Sequence, residues 1–249
     1  MRYRWIPLAL LMVTLVAWAR PGNAAELVAS LSNHLVAITT GFTGSSVLLF
    51  GATDGDGDVV VVVRGPEASE VVRRKARRFG IWMNDREAVF DNVPGFYAVA
   101  SSQPLPAVVP ESLAAVHQIG VNNLRLIPRP TTAPPEAAVR LREALIRSKQ
   151  RDRLYGSTAG DIRFLGNRLF RTDMWIPANA PVGTYSVSVY LVRDGDVVSA
   201  EITPLVVSRV GFEARVFDFA HRYSAAYGIL AILIAAAAGW VVNVLFRKG

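Results

Sequence analysis

"PVGTYSVSVYLVRDGDVVSAEITPLVV", residues 181–207, carries the clearest structural signal in a chain of 249 residues. Asp194-Gly195 separates two runs rich in β-branched residues, and both types accept the positive φ that a two-residue type I′ turn demands. Such a turn pairs Leu191 with Val198, Val189 with Ala200 and Val187 with Ile202, all six on one face of a β-hairpin. Ser186, Ser188 and Tyr190 then share the opposite face, so turn chemistry and alternation agree on one register.

Upstream, from Glu26 to about Leu105, short apolar runs are cut by turn residues: "HLVAITTGF", "SSVLLFGA", "VVVVVRGP", "FGIWMN", "FYAVAS". That spacing is how a sandwich or barrel reads. Around "LLFGATDGDGDVVVVVRGP", residues 48–66, the apolar residues are consecutive rather than alternate, which predicts strands covered on both faces and joined by residues 51–58. From Pro104 seven prolines bracket a region poor in strand pattern, a linker or insertion. Within it a helix is predicted from about Pro135 to Leu154, with Glu136 in its first turn and Arg147, Lys149, Arg151 and Arg153 toward its end, as the helix dipole favours. The predicted fold class is mainly β, an immunoglobulin-like β-sandwich with parts at 26–105 and 160–212 and a proline-rich linker and helix at 106–159. The second part holds only about 50 residues, where a lone core is marginal, so the two parts are expected to pack together.

The two ends account for much of the 51% hydrophobic content. Arg2 and Arg4 precede an apolar run from Ile6 to Ala19, then Pro21, Gly22 and the small residues Ala24 and Ala25, the layout of a secretory signal peptide over 1–25. The run is 14 residues, too short to cross a hydrocarbon layer of about 30 Å at about 1.5 Å per residue. From Tyr223 to Phe246, by contrast, 24 residues run without a charged side chain, enough for a transmembrane helix of roughly 36 Å. Tyr223, Tyr227, Trp240 and Phe246 stand where aromatic belts sit. An exported N-terminus leaves the bulk in the periplasm and 247–249 as a cytoplasmic tail, with Arg247 and Lys248 obeying the positive-inside tendency. The net charge of +7 then falls to about +2 for the exported part once Arg2, Arg4, Arg20, Arg247 and Lys248 are set aside. Nucleic-acid binding loses its support accordingly.

No constellation of residues reads as chemistry. The absence of cysteine excludes disulfides, thiolate catalysis and Cys-based zinc sites. Placing Asp54, Asp56 and Asp58 at positions 1, 3 and 5 of an EF-hand loop puts Val59 where glycine is required and Gly65 where a bidentate glutamate is required, so the stretch reads as a turn. His34, His117 and His221 are far apart, and no nucleophile elbow, phosphate loop, dinucleotide glycine pattern or zinc-protease motif occurs. No catalytic, cofactor-binding or metal-ligating residue is assigned and no enzyme activity is expected. "RRKARRF" at Arg73 to Phe79 is the densest charge cluster, a solvated loop or strand face unless it meets anionic lipid or an acidic partner. Ala235 and Gly239 form a small-xxx-small pair that lets helices approach closely.

"SSVLLFGA" with "GDVVVVVRGP", "VPGFYAVASS", "IRFLGNRLFRTDMWIPANAPVGTYSVSVYLVRDGDVVSAEITPLVVSRVGFE" and "YGILAILIAAAAGWVVNVLFR" resemble a family of alphaproteobacterial transmembrane proteins of uncharacterised function. The resemblance implies an inner-membrane, single-pass protein exposed to the periplasm, and brings no site residues with it. A non-enzymatic interaction or accessory protein, packing on an envelope membrane protein such as a transporter, is the leading expectation. A ligand- or calcium-binding envelope sensor using "TDGDGD" is the alternative, and an unrecognised hydrolase the third.

Overall fold

The computed structural model describes residues 27–78, 80–129, 135–210 and 220–246. The signal peptide expected at 1–25 and the tail expected at 247–249 lie outside these residues. With strands numbered in chain order, a four-stranded sheet runs β1 (Leu27–Leu31), β3 (Gly44–Thr53), β10 (Leu169–Pro177), β9 (Arg163–Leu165). A six-stranded sheet runs β2 (Leu35–Ile38), β12 (Asp196–Arg209), β11 (Gly183–Arg193), β4 (Asp58–Arg64), β7 (Tyr97–Ser101), β8 (Gly160–Asp161). The chain is therefore mainly β, and both sheets feed one hydrophobic cluster containing Val47, Leu49, Phe170 and Ile176 from the first and Val61, Val63, Val187 and Leu205 from the second. Because β3 pairs with β10 and β4 with β11, the early and late β segments interleave in both sheets. Both of these sheets end on strands of five residues or fewer.

The valine run behaves as its composition demands. Val59 through Val63 are each no more than 2% exposed, so β4 is covered on both faces. The cover on the second face comes from the proline-rich region, which is a packed layer here rather than a bare spacer. Pro104 and Pro110 stand at the N-caps of α1 (Leu105–Val108) and α2 (Glu111–His117), where a missing N–H costs nothing. The His117 ring lies 5.1 Å from that of Tyr190, and Arg64 donates to the His117 carbonyl. The Tyr97 hydroxyl donates to the Gln118 carbonyl at 2.7 Å and accepts from the Gly120 N–H at 2.8 Å, which satisfies the turn leading into a 3₁₀ segment (Val121–Asn123).

Two strand expectations need correction. Asp194 and Gly195 do take the positive φ of the turn, 51° and 80°. The register beyond it is shifted by a bulge between Leu191 and Val192, so Leu191 pairs with Ser199, Val189 with Glu201 and Val187 with Thr203. Val198 and Ile202 consequently point outward while Leu205 and Val207 are buried. The unbulged register would turn Pro204 and Val206 inward instead; one extra residue on β12 exchanges them for Leu205 and Val207, which fill the core better. The second correction concerns β3: Val47 and Leu49 are buried, but Phe50 on the opposite face is exposed, so two-sided cover holds for β4 and fails for β3.

The long ribbon that follows β4 was not read from sequence. The pairing of Arg64 with Tyr97 continues through Gly65 donating to Phe96 and Gly95 donating to Pro66, both at 2.8 Å, into Glu67 with Pro94. β4 and β7 thus extend into β5 (Glu67–Arg78) and β6 (Ile81–Pro94), a two-stranded arm. A side chain at Gly95 would meet the Pro181 ring at 2.7 Å, so this junction needs glycine. The root of the arm is buried through Ala88, Phe90 and Val93. It is held by the bridge of Phe90 to Pro128, by Arg129 on Asp91, and by helix α3 (Pro135–Arg151) through Lys149 on Glu70. From Arg73 through Glu87, every side chain described is exposed. The last element is the apolar helix α4 (Ser224–Phe246), within one residue of the sequence expectation.

Candidate functional site

The "TDGDGD" loop joins β3 of one sheet to β4 of the other, and the carboxylates of Asp54 and Asp58 are engaged within the protein. Arg193, at the tip of the β11–β12 hairpin, donates to the Asp54 carboxylate at 2.6 Å and to the Asp56 carbonyl at 2.5 Å. Asp58 accepts from Ser102 at 2.8 Å and from Gln103 at 3.0 Å. A guanidinium thus supplies the positive charge that acidic loop residues otherwise seek from a cation. A polar cleft of about 370 Å³ adjoins the loop, lined by Asp56, Asp58, Ser102, Gln103 and Asn167 among others. Among the described residues no three His, Cys, Asp or Glu side chains are grouped to hold a metal ion.

The outer face of the four-stranded sheet is of a different character. Side chains alternate across a strand, so with Val47, Leu49, Phe170 and Met174 turned inward, Val28, Leu48, Phe50, Leu165 and Leu169 share the outer side. They line a groove of about 460 Å³. Phe50 is 46% and Leu169 54% exposed, with Trp175 further along β10 also open to solvent. An apolar cluster of this kind, drawn from four strands on one face, is what protein-binding surfaces present. Sequence analysis missed it because its members come from residues 28, 48–50 and 165–169. The signal was there in part: consecutive apolar residues along "SSVLLFGA" meant two apolar faces, of which the fold covers one.

The other residues singled out from sequence stay apart. Of the basic cluster, residues 73–78 lie on β5, where Arg73 pairs with Glu87 at 3.0 Å between two exposed side chains; Phe79 falls outside the described residues. His34, His117 and His221 are not brought together. Ala235 and Gly239 both lie on α4. The displaced acid–base groups are structural. Burial pushes the Tyr97 hydroxyl up to about 12 and raises Tyr155 and Tyr185 as well, while hydrogen bonds from Arg129 and Ser69 hold the partly exposed Asp91 below the usual carboxylate range. Tyr155 donates to the Pro94 carbonyl at 2.8 Å and Tyr185 to that of Pro181 at 2.7 Å, so both hydroxyls tie neighbouring segments together near the junction of body and arm.

α4 differs from a core helix in where its apolar side chains are. Ser224–Asn243 has a mean hydropathy of 2.2 and none of it is buried by the rest of the chain. An apolar stretch of 20 residues left open in this way is stable in lipid and costly in water. No curated protein matches the chain. The model of a family described as "Putative transmembrane protein (Alph_Pro_TM)" matches residues 26–248, and the chain belongs to that family of membrane proteins, with α4 as its single candidate span.

Proposed function

We propose that the protein is a non-enzymatic interaction or accessory subunit that uses the outer face of the four-stranded sheet to bind an envelope membrane-protein partner such as a transporter. In this reading the two sheets form an immunoglobulin-like β-sandwich on the periplasmic side of the bacterial inner membrane, α4 is the single-pass anchor, and the C-terminus is cytoplasmic. The observation that carries it is the clustering of exposed Val28, Phe50, Leu165 and Leu169, from four strands, around one groove. Interface energy concentrates in a few such apolar anchors. The rival reading, a calcium- or ligand-binding sensor, rests on the "TDGDGD" loop, where Arg193 already engages the Asp54 carboxylate and the Asp56 backbone carbonyl.

The test is purification of the full chain from membranes in mild detergent, followed by intact-complex mass measurement. A stoichiometric integral membrane partner is expected. Phe50→Arg with Leu169→Arg should reduce its recovery at least tenfold, since each removes an anchor worth about 1 to 2 kcal/mol. Recovery of the protein alone, or of a partner indifferent to both substitutions, overturns the proposal.

A further inference from the structure

The arm and the membrane anchor leave the same end of the body. β4 and β12 are each antiparallel to β11, which lies between them, so they run in the same direction. β4 continues into the arm, and β12 continues toward α4. Ser186 pairs with both Arg64 and Pro204, which sets the level from which each can be measured. β12 extends five residues past that level to Arg209, and β5 ends fourteen residues past it at Arg78. The arm therefore reaches up to about 30 Å beyond the end of β12, at about 3.3 Å per residue. Fourteen residues separate Arg209 from Ser224. Residues 220–222 are already helical, and the chain from Arg209 to residue 220, extended, spans up to about 36 Å, so the start of α4 can lie level with the tip of the arm.

The tip has the composition of a membrane-surface contact. Between Arg74 and Arg86 the sequence carries five basic residues against one acidic, Asp85. Ile81 is 66% and Met83 52% exposed on one face, and the exposed Lys75 and Arg77 alternate onto the other. A hairpin entering the interface end-on places Ile81 and Met83 among the acyl-chain ends and the long basic side chains at the headgroups. We propose that the tip of the arm docks on anionic lipid headgroups of the same bilayer that holds α4, giving the body a second, electrostatic foothold that fixes its tilt. A protein partner for the arm is the competing outcome of the test.

The chain contains no cysteine, so single-cysteine variants report cleanly. Full-length Ile81→Cys carrying an environment-sensitive fluorophore is reconstituted into vesicles of neutral phosphatidylcholine, or of phosphatidylcholine with 30% phosphatidylglycerol, each with a spin-labelled quencher lipid. Asp196→Cys, at the far end of the body, is the control. The label at 81 should blue-shift and be quenched in anionic vesicles, at least threefold more than at 196 or in neutral vesicles. Raising salt should reverse much of the effect, as screening requires. Lys75→Glu and Arg77→Glu, on exposed strand positions, should each lower the docked-to-undocked ratio about fivefold or more. A label at 81 that stays water-like in anionic vesicles overturns the proposal, and points to a protein partner if it changes only in native membranes. Equal quenching in neutral vesicles, insensitive to salt and to Lys75→Glu, overturns the assignment to anionic lipid.

Discussion

One ribbon of backbone has two halves with opposite requirements. In the half formed by β4 and β7, five valines in succession leave neither face able to meet water, and the fold supplies a sheet on one side and the α1–α2 layer on the other. In the half formed by β5 and β6, polar and apolar residues mix on both faces and the distal part needs no cover. The ladder between the halves is continuous, so hydrogen bonding does not distinguish them. Backbone pairing makes a strand, while side-chain composition decides whether that strand belongs to the core. It also means the two halves should answer perturbation separately.

The largest separation is expected from a charge placed in each half. Val61→Asp puts a carboxylate at a fully buried site without a partner, a cost comparable to the roughly 5 to 15 kcal/mol that holds a whole domain together. The variant should fail to give a cooperative thermal transition. Lys75→Ala, on the exposed arm, should change stability by no more than about 0.5 kcal/mol and move Tm by about 2 °C at most. Comparable losses from the two substitutions would mean that the arm is part of the core after all.

Alkaline titration should act on the covered half alone. Tyr97 ordinarily ionises near 10, and burial pushes it to about 12. Between those values the unfolded chain releases a proton that the folded chain keeps, so stability is fully present below pH 10 and falls by about 1.4 kcal/mol per pH unit above it. Burial raises Tyr155 and Tyr185 too, which steepens the decline. Tyrosinate absorbance should therefore rise together with loss of tertiary signal between about pH 10 and 12. Ionisation of these tyrosines well before any unfolding would show that their surroundings open more readily than the packing implies.

Between the halves lies the root of the arm, held partly by Lys149 on Glu70 at 2.5 Å, where the lysine side chain is largely buried. Glu70→Ala strands that ammonium and should cost about 1 to 3 kcal/mol, whereas Lys149→Met should be nearly neutral. Hydrogen exchange should localise the loss to the root, near residues 67–72 and 88–94. A matching change in residues 74–86 would make the ribbon a single cooperative unit.

What could be read from sequence follows the same division. Local chemistry was legible: Asp194-Gly195 as a positive-φ turn, the two-sided burial of Val59 to Val63, the proline-led helix, and an uncharged span found at Ser224–Phe246. The arm was not, because Gly65, Pro66, Pro94 and Gly95 look like strand ends. In the structure the ladder bonds at this junction use the N–H groups of Gly65 and Gly95 and never ask the prolines for one, so pairing passes straight through. The register of β12 was missed because a bulge answers to the core rather than to the turn. The apolar outer face was missed because composition reveals that β3 has two apolar faces but not which of them the fold leaves open. Arg193, which lies 139 residues from Asp54 in sequence, could be assigned to the acidic loop only after folding joined them.

The smallest effect concerns the helix that braces the arm. α3 ends in a Schellman arrangement, with Leu154 donating to the Lys149 carbonyl at 2.9 Å and Arg153 to that of Gln150 at 3.0 Å. The residue between helix and exit must be left-handed, and there it is Arg153 at φ 58°, a conformation that costs a residue bearing Cβ about 1 kcal/mol and costs glycine none. Arg153→Gly relieves that strain but gives the unfolded chain more freedom, so the net gain should be about 0.5 kcal/mol, a rise in Tm of about 1 to 2 °C. Since Lys149 is both the acceptor of the cap and the partner of Glu70, the gain should appear as slower hydrogen exchange in α3 and the arm's root. Exchange beyond Arg74 should not change. A loss of stability would show that the Arg153 side chain does more at this corner than its exposed position suggests.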